Sequence, residues 1–508
     1  MKKIVWFVCL SFCVLVLSET AAFAEAEPVS SSERPSTADG DANKTAAESP
    51  QQDDSAVVAE IGEHTITLAE LKGRIRRDIR PSEDDVPGQA ELLTAESALR
   101  ELLAEKAMVM EGRRQGYQRD AQLRSGADRQ RRRQLIGLLL TDYVEKNLSI
   151  SDAEIDQMLK SRPELSRDQA RSMVQRAKAQ PLLERFYKQL LAQYQVKKNS
   201  ASLKRAAAIH DRLLNRPAEP RKVSWVKNSQ VREELSEEEK AIVLAAYKGG
   251  QFTLLQWFEA LCDIVPPRRP RDLNTAAGVE KLLDRALQPA ILRAEAEARG
   301  YGRNEKLLSD VRAYEDRGIL GKVQAKAVAD VNEPSDEQIK AFFDDHQEWF
   351  AESAKLKVDQ IWCEDLATAR QVKKKLDAGA DFESLKQEHS LRKDSKPYDV
   401  RPSSEGVFWE ELWEAADPNN VVGPIRGFYG SGVRWRIVKV TEKTPAKARA
   451  YSDDLKNQVK WTMQNARRQA LLSAYSKELL DKYPHKIHQD RIKSIDPLEV
   501  ASEVEQTR

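Results

Sequence analysis

The chain has 508 residues, 41% of them hydrophobic and 32% charged, with 82 basic against 81 acidic side chains. That length allows several domains. So balanced a charge argues against nucleic acid as the main partner, because binding a phosphate backbone needs a basic surface.

The chain opens as a secretory signal peptide. Lys2 and Lys3 precede an apolar run from Ile4 to Leu17, and Ala22-Phe-Ala24 offers a small-residue cleavage site. Cleavage is expected after Ala24, and the run is short for a membrane span; a retained N-terminal anchor is the rival. Phe12 before Cys13 fits a lipoprotein site poorly. Removal of residues 1–24 takes away Lys2, Lys3 and Glu19, leaving 80 basic and 80 acidic residues from the 82 and 81. Cys262 and Cys363 then remain, too few for a disulfide framework; one bridge or two buried thiols are both open. Residues 25–56 are polar, with almost no large apolar side chain, and are expected to be a disordered linker.

An internal repeat follows. Gly116-Tyr117-x-Arg119-Asp120 recurs as Gly300-Tyr301-x-Arg303-Asn304, and Ser151-Asp152-x-x-Ile155 recurs as Ser335-Asp336-x-x-Ile339, both 184 residues later. Ile66-Thr-Leu68 recurs as Phe252-Thr-Leu254, 186 later. Each copy reads as a short strand, then a helix into the Gly-Tyr turn. Leu99, Leu102, Leu103, Ala107 and Met110 form one helical stripe; Leu283, Ala286, Leu287, Ile291 and Ala294 form the other, with Pro289 expected to kink it. Leu182-Leu183-x-x-Phe186 with Leu190-Leu191-x-x-Tyr194 recurs as Leu471-Leu472-x-x-Tyr475 with Leu479-Leu480-x-x-Tyr483, but 289 residues later. The excess of 105 over 184 has the size of a small domain. An insertion therefore lies between Ile339 and Leu471.

Within it, Lys355–Trp362 alternates like a strand, Asp365–Leu376 carries a helical apolar face, and Gly379 suits a left-handed cap. A short helix is expected at 381–390, and strands at Ser404–Trp409 and Val433–Val440, with a turn at Gly423-Pro424. This is an α+β unit with helices on an antiparallel sheet.

Gly379-Ala-Asp-Phe382 with Ser390, Val422-Gly-Pro-Ile425, and Trp435-Arg-Ile-Val-Lys-Val440 resemble a parvulin-type (PpiC-like) peptidyl-prolyl isomerase domain. The resemblance implies a groove over the sheet that binds prolyl peptides and rotates X-Pro bonds, a slow step in folding. The positions matching two family histidines hold Gln360 and Arg436, and Asp394 falls where the family places an acidic or thiol residue. Arg436 would either put a permanent cation in the groove or point to water. Phe408, Trp409, Leu412, Trp413 and Trp435 are the apolar client-binding candidates, with core filling as the other reading. Residues 57–71, the helix before Gly116-Tyr117 and the helix start at Ile150–Ile155 resemble the helical module of SurA, PrsA and PpiD-like extracytoplasmic chaperones. That implies a C-terminal helix, over 452–483, returning to the N-terminal helices.

The expected architecture is mainly α with an inserted α+β domain. It has a signal peptide at 1–24, a linker at 25–56 and a SurA-N-like helical chaperone module at 57–215. A second such module spans 216–353 with 446–490, a parvulin-like domain lies at 354–445, and a polar tail runs over 491–508. The expected function is a periplasmic folding chaperone for unfolded secreted or outer-membrane clients, with a weak or inactive parvulin-like domain. An active prolyl isomerase and an assembly scaffold with one fixed partner are the alternatives. Partners are unfolded polypeptides and prolyl peptides, without nucleic acid or stable membrane insertion after cleavage. No cofactor and no metal is expected: the six histidines are scattered, and no phosphate loop or nucleophile elbow appears.

Overall fold

The computed structural model describes residues 53–80, 93–215, 225–430 and 432–502. The segments expected to be a signal peptide and, for the most part, a linker lie outside them, as do the last six residues. The described chain is mostly helical, with ten strands: β1 Val57–Ile61, β2 His64–Thr67, β3 Lys197–Lys198, β4 Val243–Tyr247, β5 Gly250–Thr253, β6 Lys355–Cys363, β7 Tyr398–Val400, β8 Val421–Tyr429, β9 Gly432–Thr444 and β10 His485–Ile487. They make three antiparallel sheets, ordered β10-β1-β2, β3-β4-β5 and β7-β6-β9-β8.

Local chemistry explains the helix starts. Thr67 with Glu70 and Thr253 with Gln256 form capping boxes 186 residues apart, as the two matching sequence segments are. Ser151 with Glu154 and Ser335 with Gln338 form another such pair. Gly116 and Gly300 each take φ +84° after a long helix, a left-handed turn that a Cβ would strain. The helix Ala276–Ala298 continues through Pro289.

The chain divides into two units. One, holding 121–315, packs the helix Ala276–Ala298 against Ala121–Asn147, Arg167–Gln193 and Ser200–Leu214. Trp257, Phe258, Leu283 and Leu287 fill its core. On Ala276–Ala298, the buried carboxylate of Glu295 accepts from the Tyr194 hydroxyl at 3.0 Å and pairs with Arg299 at 2.7 Å.

The other unit combines 39–120 with 316–508. The helix Asp453–Lys482 returns to pack on Ala95–Arg114, and β10 pairs with β1. Here the buried carboxylate is Glu111, which accepts from the Tyr483 hydroxyl at 2.7 Å and from Lys482 at 2.8 Å. The expected modules, 57–215 and 216–353 with 446–490, do not coincide with these units. The strands at 57–67 pair with 485–487, and those at 243–253 with 197–198.

Three expectations of local structure fail. Ser404–Trp409 is not a strand: Pro402–Glu405 is a helical turn with Pro at its start, followed by a 3-10 turn and the helix Trp409–Ala415. Gly423-Pro424 is not a turn but lies within β8, with a cis peptide bond. The polar tail is a tail only in composition. Ile492, Val500 and Ala501 are buried, and Pro497–Ser502 is helical.

Candidate functional site

The sheet β7-β6-β9-β8 has two unlike faces, because successive side chains of a strand alternate. One face carries Ile361, Cys363 and Ile437 against the helices Leu366–Asp377 and Phe382–His389. The other carries Leu356, Val358, Val438 and Val440 against Leu412 and Ala416. Gln360, Trp362 and Arg436 continue this second face, with Trp362 opposite Arg436 in register.

Arg436 is the centre of the site. Its guanidinium is fully buried and forms an ion pair with Glu405, which stands on the turn before Gly406. Nη2 bonds Glu405 Oε2, and Nη1 reaches Glu405 Oε1 and Gln360 Oε1, each at 3.3 Å. The Trp362 ring lies 5.1 Å from the guanidinium carbon, a cation–π contact. Gly427 of β8 makes room: a Cβ there would come within 2.4 Å of that carbon. Two buried donors, Arg436 Nε and Gln360 Nε2, have no hydrogen-bond partner. Both lie beneath the surface, with Arg436 Nε against Gly427, so they are unmet needs of the buried floor rather than contacts open to a ligand.

Aromatic and apolar side chains surround this polar floor. Tyr429 lies 5.2 Å from Trp362, and Phe428 meets Phe408 edge-on at 5.0 Å. Leu391, Tyr398 and Val407 are exposed. Leu391 donates its N–H to the Trp362 carbonyl at 2.8 Å, and Val407 follows the Glu405 turn. Although Tyr398 is 40% exposed, desolvation of its phenol pushes it above its ordinary value, opposed by the nearby Arg436 cation.

A second buried pair holds the loop at the site's edge. Lys386 donates to Asp359 at 2.7 and 3.0 Å and to the Ser395 carbonyl at 2.5 Å. The Ser390 hydroxyl accepts from the Trp362 and Arg392 N–H groups, each at 3.2 Å.

The structure thus brings Gln360 and Arg436 together, but Arg436 neither points to water nor stands as a free cation. Asp394 is exposed and takes no part in their hydrogen bonds. Leu412 is core, fully buried, and Trp435 belongs to the opposite, helix-covered face. Trp409 and Trp413 stack at 5.2 Å, half-buried beside the core, with Lys443 over Trp413. Phe408 is buried but reaches the site through Phe428. Sequence reasoning missed Glu405, Trp362, Tyr398, Phe428 and Tyr429. The alternation of β6 could have paired Trp362 with Gln360, but nothing local marks Glu405 as the partner of Arg436.

Residues 334–453 match the family model of the PPIC-type PPIASE domain. The chain therefore carries a parvulin-type domain within a mainly helical architecture. No curated protein matches the chain. Among solved structures, a SurA-like chaperone of Campylobacter jejuni aligns at 12% identity over 44% of this chain and 92% of its own, with a TM-score of 0.21. The foldase protein PrsA of Streptococcus pneumoniae aligns at 20% identity over 45% and 81%, with a TM-score of 0.23. PrsA of Bacillus cereus aligns at 18% identity over 52% and 99%, with a TM-score of 0.22.

Proposed function

We propose that this protein is a periplasmic folding chaperone whose parvulin-type domain binds prolyl segments of unfolded clients and catalyses their isomerisation weakly. The observation that carries this reading is the buried Arg436–Glu405 pair. A fixed ion pair holds both partners in place on the floor of the groove, so Arg436 is not free to follow the rotating amide. The groove can still bind. The exposed Leu391, Tyr398 and Val407 suit apolar side chains of a client. Lys2 and Lys3, the apolar run Ile4 to Leu17 and Ala22-Phe-Ala24 support export with cleavage after Ala24; among the described residues no helix is long and apolar enough to cross a membrane.

The juxtaposition of Gln360 and Arg436, 3.3 Å apart, favours a second reading, an active isomerase. Rotation needs no covalent step, and a groove that binds the twisted amide better than the planar one lowers its barrier. The test measures aggregation of an unfolded outer-membrane protein by light scattering, with and without the mature chain, and adds an Ala-Ala-Pro-Phe peptide as competitor. Suppression that the peptide relieves supports the reading. No suppression at a fivefold excess of chain rejects it.

The repeat is part of the reading. Glu111 and Glu295 stand 184 residues apart, and Tyr194 and Tyr483 stand 289 apart, the offsets of the repeated motifs. In each unit a head-helix glutamate accepts from the other copy's tail tyrosine. This supports a duplicated module whose two copies have exchanged tails.

A further inference from the structure

The β8–β9 hairpin is gripped from outside the domain. Arg80, just past the helix Leu68–Asp78, lies with its guanidinium 5.2 Å from the Phe428 ring. Its Nη2 also donates to the Gly430 carbonyl and, at 3.4 Å, to that of Gly432. The C-terminal helix Pro497–Ser502 sits against the same hairpin. Arg434 Nη1 donates to the Ser502 carbonyl at 3.3 Å, and Arg426 faces Asp496 at 3.9 Å. At Gly432 a Cβ would lie 2.7 Å from the Ala501 carbonyl oxygen, so the backbones meet closely. Arg76 ties the two gripping elements together by donating to the Val500 carbonyl at 3.3 Å.

This hairpin supplies two walls of the groove. Phe428 packs on Phe408, three residues after Glu405; Tyr429 packs on Trp362, which flanks Arg436. We propose that Arg80 and the C-terminal helix form a clamp that positions Phe428 and Tyr429, so that prolyl-peptide affinity is set partly from outside the parvulin-type domain. The proposal rests on the groove reading above. Its physical basis is preorganisation: a hairpin already held in the bound geometry loses less freedom when a peptide docks. Arg80 is a positioning residue, since it touches the hairpin and not the peptide.

The experiment uses the full mature chain in three forms: Arg80→Ala, Arg80→Lys and a truncation after Ile495. Amide hydrogen exchange across 425–436 reads the clamp, and binding of a labelled Ala-Ala-Pro-Phe peptide reads the groove. Arg80→Ala and the truncation are expected to speed hairpin exchange roughly tenfold while the amides of 355–363 keep their rate. Peptide affinity is expected to fall about fivefold, the size of a lost cation–π contact. Arg80→Lys keeps a cation over Phe428 but cannot fork two carbonyls, and should fall between. Hairpin amides that exchange at the parent rate in both Arg80→Ala and the truncation overturn the clamp, whatever the peptide does. Faster hairpin exchange with unchanged peptide affinity overturns the link to the groove. A parent chain that binds no peptide refutes the groove reading, and the exchange result still decides the clamp.

Discussion

Replacing Glu405 by Gln keeps the side chain's shape and removes its charge. Arg436 stays protonated at any accessible pH, so the variant leaves a cation in the sheet without its counter-ion. The side chains of Arg436 and Glu405 are 1% and 6% exposed, so solvent screens little of the loss. Breaking such a pair from one side costs about 3–5 kcal/mol. The Gln360 carbonyl, 3.3 Å from Nη1, is the remaining acceptor and offsets only part of this. With a urea m-value of about 1.5 kcal/mol/M for a domain of this size, the midpoint should fall by roughly 2–3 M. Tryptophan fluorescence reports it, because Trp362, Trp409, Trp413 and Trp435 all lie in this domain. The double variant Glu405→Gln with Arg436→Met should recover most of the loss, since it removes the stranded charge. A midpoint shift below about 0.5 M for Glu405→Gln would refute the claim that the pair is a buried element of the sheet.

Other outcomes follow from the same contacts. Lys386→Met strands Asp359 and frees the Ser395 carbonyl, and should cost about 3 kcal/mol while raising proteolysis within 391–397. Arg114, Lys482 and Tyr483 hold the Glu111 carboxyl well below its ordinary 4.5. Its contribution is complete above that value and is lost as pH falls below it, so Glu111→Gln should flatten the acid limb of unit unfolding. Burial pushes the His210 imidazole down to about 4 from 6.5, so that region should lose stability as pH falls from 6.5 toward 4; His210→Phe should remove the slope. Burial also pushes the Cys363 thiol up to about 11, so Cys363 should resist iodoacetamide at pH 8 until the chain is unfolded.

The parvulin-type domain was legible where local pattern and environment agree. Val433–Val440 alternates, and it forms a central strand with the same alternation facing two cores. The helix Leu366–Asp377 was legible for the same reason. Ser404–Trp409 misled because its aromatics carry strand propensity, while Pro402 and the Ser404 hydroxyl, bonded to the Arg401 backbone, start a helix instead. The C-terminal helix was invisible because Ile492, Val500 and Ala501 are too few to make a pattern; their burial depends on surfaces far away in sequence. Gln360 and Arg436 were found by resemblance alone. Their partner Glu405 could not be, since nothing local in a sequence says which carboxylate will reach a buried arginine. The matching motifs are visible in the sequence as shared offsets, yet the strand pairings join segments no offset relates: 57–61 with 485–487, and 243–247 with 197–198.

The most direct test is the rate of cis-to-trans isomerisation of an Ala-Ala-Pro-Phe peptide with the full mature chain present, followed by protease-coupled absorbance. The account predicts a rate within about twofold of the uncatalysed one, which takes tens of seconds at 25 °C, under conditions where the chain suppresses client aggregation. Acceleration well beyond twofold under those conditions that disappears in Gln360→Ala with Arg436→Ala would contradict it, and would make the ion-paired groove a working active site.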